Sequence, residues 1–212
     1  MSRRARVLVL LLSTPFVVII AVGGLLGAAG RSPQEGVPHL RVFNDVVNLI
    51  LYEDLHDVVL TGHSYGGMVI TGVADRVPDR IKRLVYLDAL VPYDGDSVST
   101  MFRDGGAFIK QMTKGDYVVP AWVKPDQPPP HDVPQALKTF TDPIVLKNDA
   151  ARKIPATYIL TVEKGKEAKD DDFFPQSQRA KERGWTMLQL TSDHNPQWSA
   201  PEALAEMLAG LR

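Results

Sequence analysis

The run Gly62-His63-Ser64-Tyr65-Gly66-Gly67 carries the strongest chemical signal in the chain. A G-x-S-x-G that follows a β-branched run and opens an apolar helical stretch is a nucleophile elbow. The strand-to-helix turn is so sharp that only glycine fits beside it, and the serine is held in strained backbone with its hydroxyl projecting. The helix start beneath that hydroxyl adds partial positive charge where an oxyanion would form. Ser64 is therefore a candidate nucleophile for acyl transfer.

A serine hydroxyl needs a base, and the base needs a carboxylate to orient it. Five histidines are available. His63 lies inside the turn and is better suited to supporting it than to deprotonating its neighbour. His39 and His56 flank the first helix and His131 lies among prolines, so all three are expected at the surface. His194 stands in the turn Thr191-Ser192-Asp193-His194-Asn195-Pro196, after a strand and ahead of the last helix, and is the candidate base. The acid stays open among Glu163, Glu167, Asp170, Asp171 and Asp172, which follow the strand at 154–161, with Asp88 at the end of an earlier strand as the outside candidate. The acidic run could equally complement a helix N-terminus. Its spacing does not match a calcium loop, the absence of cysteine rules out thiolate metal sites, and acyl transfer by a serine, a histidine and an acid needs no metal or organic cofactor.

The elements that must hold these groups alternate. Apolar residues at Leu40, Phe43, Val46, Val47 and Ile50 predict a helix over 40–52, and 57–62 a buried strand. A helix over 68–77 follows, then strands at 81–87 and 154–161, a helix over 176–183 and a strand at 186–190. Ser199-Ala200-Pro201-Glu202 has the form of a capping box opening a final helix to residue 211. Strands spaced by helices imply a mostly parallel sheet with helices on both faces, an α/β domain. The 212 residues suit one such domain with an appendage, and a net charge of −1 with no basic run gives nucleic acid no footprint.

Two stretches depart from the alternation. Residues 7–30 are uncharged behind Arg3, Arg4 and Arg6, long enough as a helix to span a bilayer, and are expected to be an export signal or membrane anchor; a core strand at 7–12 is the alternative. This divides the chain into a hydrophobic segment at 1–30 and a catalytic domain at 31–212, membrane-anchored or exported, or cytoplasmic if 7–12 is a core strand. Residues 92–152 are rich in proline, carry Phe102, Phe108, Tyr117 and Trp122 and show no strand signal, which predicts an inserted lid.

The segment VVLTGHSYGGMVITGVADRVPDRIKRLVYLDALVPYDGDS, together with residues 154–161 and SDHNPQWSAPEALAEML, resembles the α/β-hydrolase superfamily. It is most similar to the small-lid branch of plant methyl esterases, hydroxynitrile lyases and bacterial esterase-like relatives. The resemblance implies Ser64 as nucleophile, His194 as general base and then acid, and the backbone N–H of Tyr65 as an oxyanion donor. It implies Asp170 as the triad acid, because in that branch the acid lies just ahead of an aromatic-aliphatic-Pro helix start and here Phe173-Phe174-Pro175 follows; the longer loop leaves Asp171 or Asp172 in reach of the role. Hydroxynitrile lyases typically carry lysine directly after the histidine. Asn195 stands there, which favours hydrolysis of a small ester or related acyl compound.

One part of the family pattern is missing. No His-Gly loop precedes residue 62 to supply a second oxyanion donor, and 26 residues between Arg31 and Val58 leave little room for the usual early strands. Either the strand at 7–12 with Ser13-Thr14-Pro15 replaces them, or the N-terminal part of the sheet is incomplete. An incomplete site would favour the alternative, a non-catalytic relative that binds a small ligand.

Overall fold

The computed structural model describes residues 9–13, 16–20, 38–102, 104, 106–121, 123, 124, 126 and 133–211. It opens with an antiparallel hairpin, β1 (Val9–Ser13) against β2 (Phe16–Ile20), in the register Val9 to Ile20 and Ser13 to Phe16. The helical span expected over 7–30 is corrected for these residues, which are strands. Their β-branched content (Val9, Val17, Val18, Ile19, Ile20) suits a pleated ladder, and β1 lies alongside the strand that carries Ser64. No described helix is long and apolar enough to cross a membrane. The rest of 1–30 lies outside the described residues.

Helix α1 (Pro38–Tyr52) follows, then β3 (Val58–Ser64), α2 (Gly66–Arg76) and β4 (Ile81–Ala89). An insert then holds α3 (Val98–Met101), α4 (Ala107–Met112), β5 (Thr113–Lys114), β6 (Tyr117–Val118), β7 (Gln135–Ala136) and α5 (Lys138–Thr141). The chain closes with β8 (Ala156–Val162), α6 (Phe174–Glu182), β9 (Thr186–Thr191), α7 (Pro196–Ser199) and α8 (Pro201–Ala209).

The main sheet runs β3-β4-β8-β9, every pair parallel. Every residue of β3 and β8 is buried, as a strand covered on both faces requires. Alternation sorts the side chains. Leu60, Leu84, Tyr86 and Tyr158 join Phe43, Val46 and Ile50 of α1 and Met68, Ile70 and Val73 of α2 in the larger core. Val59, Val85, Leu87 and Ile159 face the other way and pack on Leu190 and on Leu204 of α8. Helices therefore cover both faces, as the alternation of elements requires. One detail differs: α8 starts at Pro201 with Ala200 before it and no side-chain cap, so Ser199 makes no capping box.

The insert is packed, because Val98, Met101, Ile109, Met112, Val118, Phe140 and Ile144 are buried with the larger core. It contains a small antiparallel sheet, β5-β6-β7, which the sequence pattern missed because strands of two residues have no alternation to detect. Its ends are tied down. Asn148 N–H donates to Asp75 at 2.8 Å, Lys147 pairs with Asp94 at 2.6 Å, and Arg179 of α6 pairs with Asp96. Trp122 and His131 lie outside the described residues.

Candidate active site

Ser64 ends β3 with φ of 57°, left-handed backbone that a side chain rarely adopts. The neighbouring glycines explain how the turn is possible. A Cβ on Gly62 would lie 2.4 Å from the carbonyl oxygen of Gly66, and one on Gly67 would lie 2.0 Å from that of Leu90. The pairing of β3 with β4 shifts between His63 and Ser64, and Leu90 N–H donates to the Ser64 carbonyl at 3.0 Å, which fixes the turn against the end of β4. Tyr65 follows directly at the start of α2, where N–H groups have no acceptor within the helix.

His194 faces this serine. Its Nε2 lies 3.0 Å from Ser64 Oγ, and its Nδ1 lies 2.7 Å from Asp88 Oδ2. A carboxylate only accepts, so Nδ1 carries the proton and the lone pair of Nε2 points at the serine hydroxyl. The loop holding His194 is stitched by short-range bonds. Asp193 Oδ1 accepts from Asn195 N–H and from the Ser199 hydroxyl, both at 2.8 Å, and the Ser199 and Ser192 hydroxyls meet at 2.6 Å. Ser199 thus serves the histidine loop rather than the helix start. Phe173 stacks on the imidazole with ring centroids 4.7 Å apart and planes 11° from parallel.

Asp88 is fully buried at the end of β4 and also has positive φ, 43°. Its Oδ1 accepts Thr161 N–H at 3.3 Å. Tyr158 pins the next residue, accepting Ala89 N–H at 3.1 Å and donating to the Ala89 carbonyl at 3.0 Å. Burial, reinforced by the charge of Asp88, holds the Tyr158 phenol well above its usual range, so it stays protonated and able to donate.

Asp170, the acid implied by the resemblance, does not meet His194. It is exposed, and its carboxylate accepts the backbone N–H of Glu167 at 3.2 Å. Asp172 and Glu163 are also exposed, Glu163 paired with Lys166 at 2.7 Å. The sheet order explains the difference. β4 lies between β3 and β8, so a carboxylate on the last turn of β4 emerges beside the serine strand without the long loop after β8. The signal was present in the sequence as a single acid inside the apolar run Leu84-Val85-Tyr86-Leu87-Asp88-Ala89-Leu90-Val91, a position where a charge must have a partner.

Asp171 is half-buried in a cleft it shares with Asp88, Phe173 and His194, and accepts Phe173 N–H at 2.8 Å. Burial, and then the charge of Asp88, push its carboxyl up to about 6 from 3.8. The folded protein therefore holds a proton that the unfolded chain releases, and stability falls as pH rises through that window. Asp171→Asn should stabilise the protein above pH 6, by about 1 kcal/mol given solvent screening, with no gain below the unfolded value. Thermal unfolding at both ends of the window checks this.

A family model described as the alpha/beta hydrolase family matches residues 5–207. The chain belongs to the α/β-hydrolase family. Because the match begins at residue 5, the family pattern takes in β1 and β2. This α/β hydrolase is 36% identical over 193 residues to a carbendazim-hydrolysing esterase from Nocardioides, an alignment that spans 82% of this chain and 77% of the relative. Among solved structures it resembles an extracellular α/β-hydrolase from a Paenibacillus species, described as a structural and functional homologue of tobacco salicylic acid binding protein 2. The TM-score is 0.65 at 26% identity, covering 85% of this chain and 82% of the other. An Arabidopsis methylesterase, at 21% identity and a TM-score of 0.52 over 79% and 75% of the two chains, shares the fold.

Proposed function

We propose that this α/β hydrolase is a serine esterase that cleaves a small ester or related acyl compound through Ser64, His194 and Asp88. The observation that carries this reading is the continuous contact from Asp88 Oδ2 through both imidazole nitrogens to Ser64 Oγ, 2.7 Å on one side and 3.0 Å on the other. Ser64 Oγ attacks the carbonyl carbon while His194 Nε2 takes its proton, and the buried Asp88 carboxylate stabilises the imidazolium. The oxyanion of the tetrahedral intermediate meets the N–H of Tyr65 at the start of α2. His194 then returns the proton to the departing alcohol, leaving acyl-Ser64. Water attacks that ester with His194 again as base, and the acid is released as Ser64 regains its proton.

The insert acts as the lid in this scheme. Its Phe140 ring lies 6.1 Å from that of Tyr65, and Phe102 lies 6.4 Å from Phe173, which stacks on the imidazole. Aromatic walls next to the reacting groups favour an apolar acyl or alkoxy part over a charged one. Support also comes from the relative that hydrolyses carbendazim, which is named an esterase. The test is hydrolysis of a p-nitrophenyl ester series from acetate to octanoate. Saturable turnover above the buffer rate is expected. A folded protein no faster than buffer on any member would overturn the assignment.

A further inference from the structure

His63 lies next to the nucleophile, and the chemistry above gives it no task. It is 1% exposed at the end of β3, and its Nε2 bonds to the backbone carbonyl of His194, 131 residues away. A carbonyl only accepts, so His63 Nε2 carries the proton and donates. Its ring lies 4.6 Å from that of His194, tilted by 40°. Its Nδ1 is buried with no hydrogen-bond partner among the described residues. A buried unsatisfied nitrogen costs stability, and a phenylalanine of similar shape would avoid that cost.

These contacts close a small ring. It runs from His63 Nε2 to the His194 carbonyl, through the His194 side chain to its Nε2, across 3.0 Å to Ser64 Oγ, and back to His63 over a single peptide bond. Asp88 fixes the imidazole through Nδ1 and Phe173 covers one of its faces, but neither fixes the backbone of the loop that carries it. The bond from His63 ties that backbone directly to the strand that carries the nucleophile. We infer that His63 is a positioning residue for the esterase reaction, whose neutral imidazole clamps the His194 main chain and sets the distance between base and nucleophile. This rests on Ser64 and His194 being nucleophile and base. Burial, and then the neighbouring His194, pull His63 down to about 3. It therefore stays uncharged beside the imidazolium that forms during turnover, where a second cation would repel it. The His63 hydrogen bond goes to the His194 main chain and not to a reacting ring nitrogen, so it acts by placing His194.

Geometry distinguishes the clamp from simple packing. Glutamine places an amide N–H near the position of the histidine Nε2, asparagine places one near Nδ1, and phenylalanine keeps the ring without a donor. His63→Phe and His63→Asn should lower kcat on p-nitrophenyl acetate by roughly 10- to 100-fold, the scale set by sub-ångström to ångström misplacement of a catalytic group, with KM changed less than about twofold. His63→Gln should recover kcat to within a few-fold of wild type. An NMR readout that needs no turnover goes with these: the downfield proton resonance of His194 Nδ1–H, sharp in wild type and the Gln variant, broadened in the other two. If Phe does not fold, the Gln and Asn pair decides. Equal kcat in the Gln and Asn variants, or a loss confined to KM, would overturn the clamp. An inactive wild type that shows the same resonance pattern would sink the esterase assignment and leave the clamp standing.

Discussion

Asp88→Asn should lower kcat by about 10⁴-fold with little change in KM, whereas Asp170→Asn should stay within about twofold of wild type. The carboxylate of Asp88 accepts the hydrogen bond from His194 Nδ1–H at 2.7 Å and sits wholly out of solvent. An asparagine in its place presents an N–H to Nδ1 and turns the imidazole to the tautomer with its proton on Nε2. That proton faces Ser64 Oγ, and the base is lost although every heavy atom stays in place. Asp170 lies exposed in its turn, and its carboxylate is engaged with the Glu167 backbone. Steady-state kinetics of the two variants on one activated ester checks both halves. A large loss in Asp170→Asn with an unaffected Asp88→Asn would move the acid to the loop after β8.

Ser64→Ala should remove about 10⁶-fold in kcat, leaving the background rate of the bound ester. The fold should survive, because alanine meets the same left-handed backbone, φ of 57°, that the serine already occupies, and the glycines that create the turn are untouched. Circular dichroism and a melting curve serve as controls, with Tm expected within a few degrees of wild type. Turnover at the wild-type level in the alanine variant would mean that another group carries the reaction.

Much of this architecture was legible in the residue pattern, for a physical reason. Strands 58–64 and 156–162, and 81–89 from residue 84 onward, are buried on both faces and so appear as β-branched and apolar runs, while α1 shows its core stripe at Phe43, Val46, Val47 and Ile50. Ser64 and His194 were recognisable because the elbow needs glycines at fixed offsets and the histidine loop sits between the last strand and the last helices. The partner of His194 was harder. Loop position left five acids open and the resemblance implied Asp170, whereas the placement of β4 between β3 and β8 brings Asp88 beside the imidazole. The role of Ser199 was hidden similarly: its sequence context fits a cap, but its hydroxyl is used by Asp193 and Ser192. Residues 9–13 and 16–20 belong to an uncharged run that fits a membrane helix as well as paired strands, and only pairing distinguishes the two.

The most direct test is covalent labelling of the folded wild-type protein with a fluorophosphonate, read by intact mass and by the modified peptide. That reagent needs an activated serine and an oxyanion site together, but no knowledge of the natural substrate. A single adduct on Ser64, absent from Ser64→Ala, is the predicted result. A folded wild type that stays unlabelled, or an adduct on another residue, would contradict the triad.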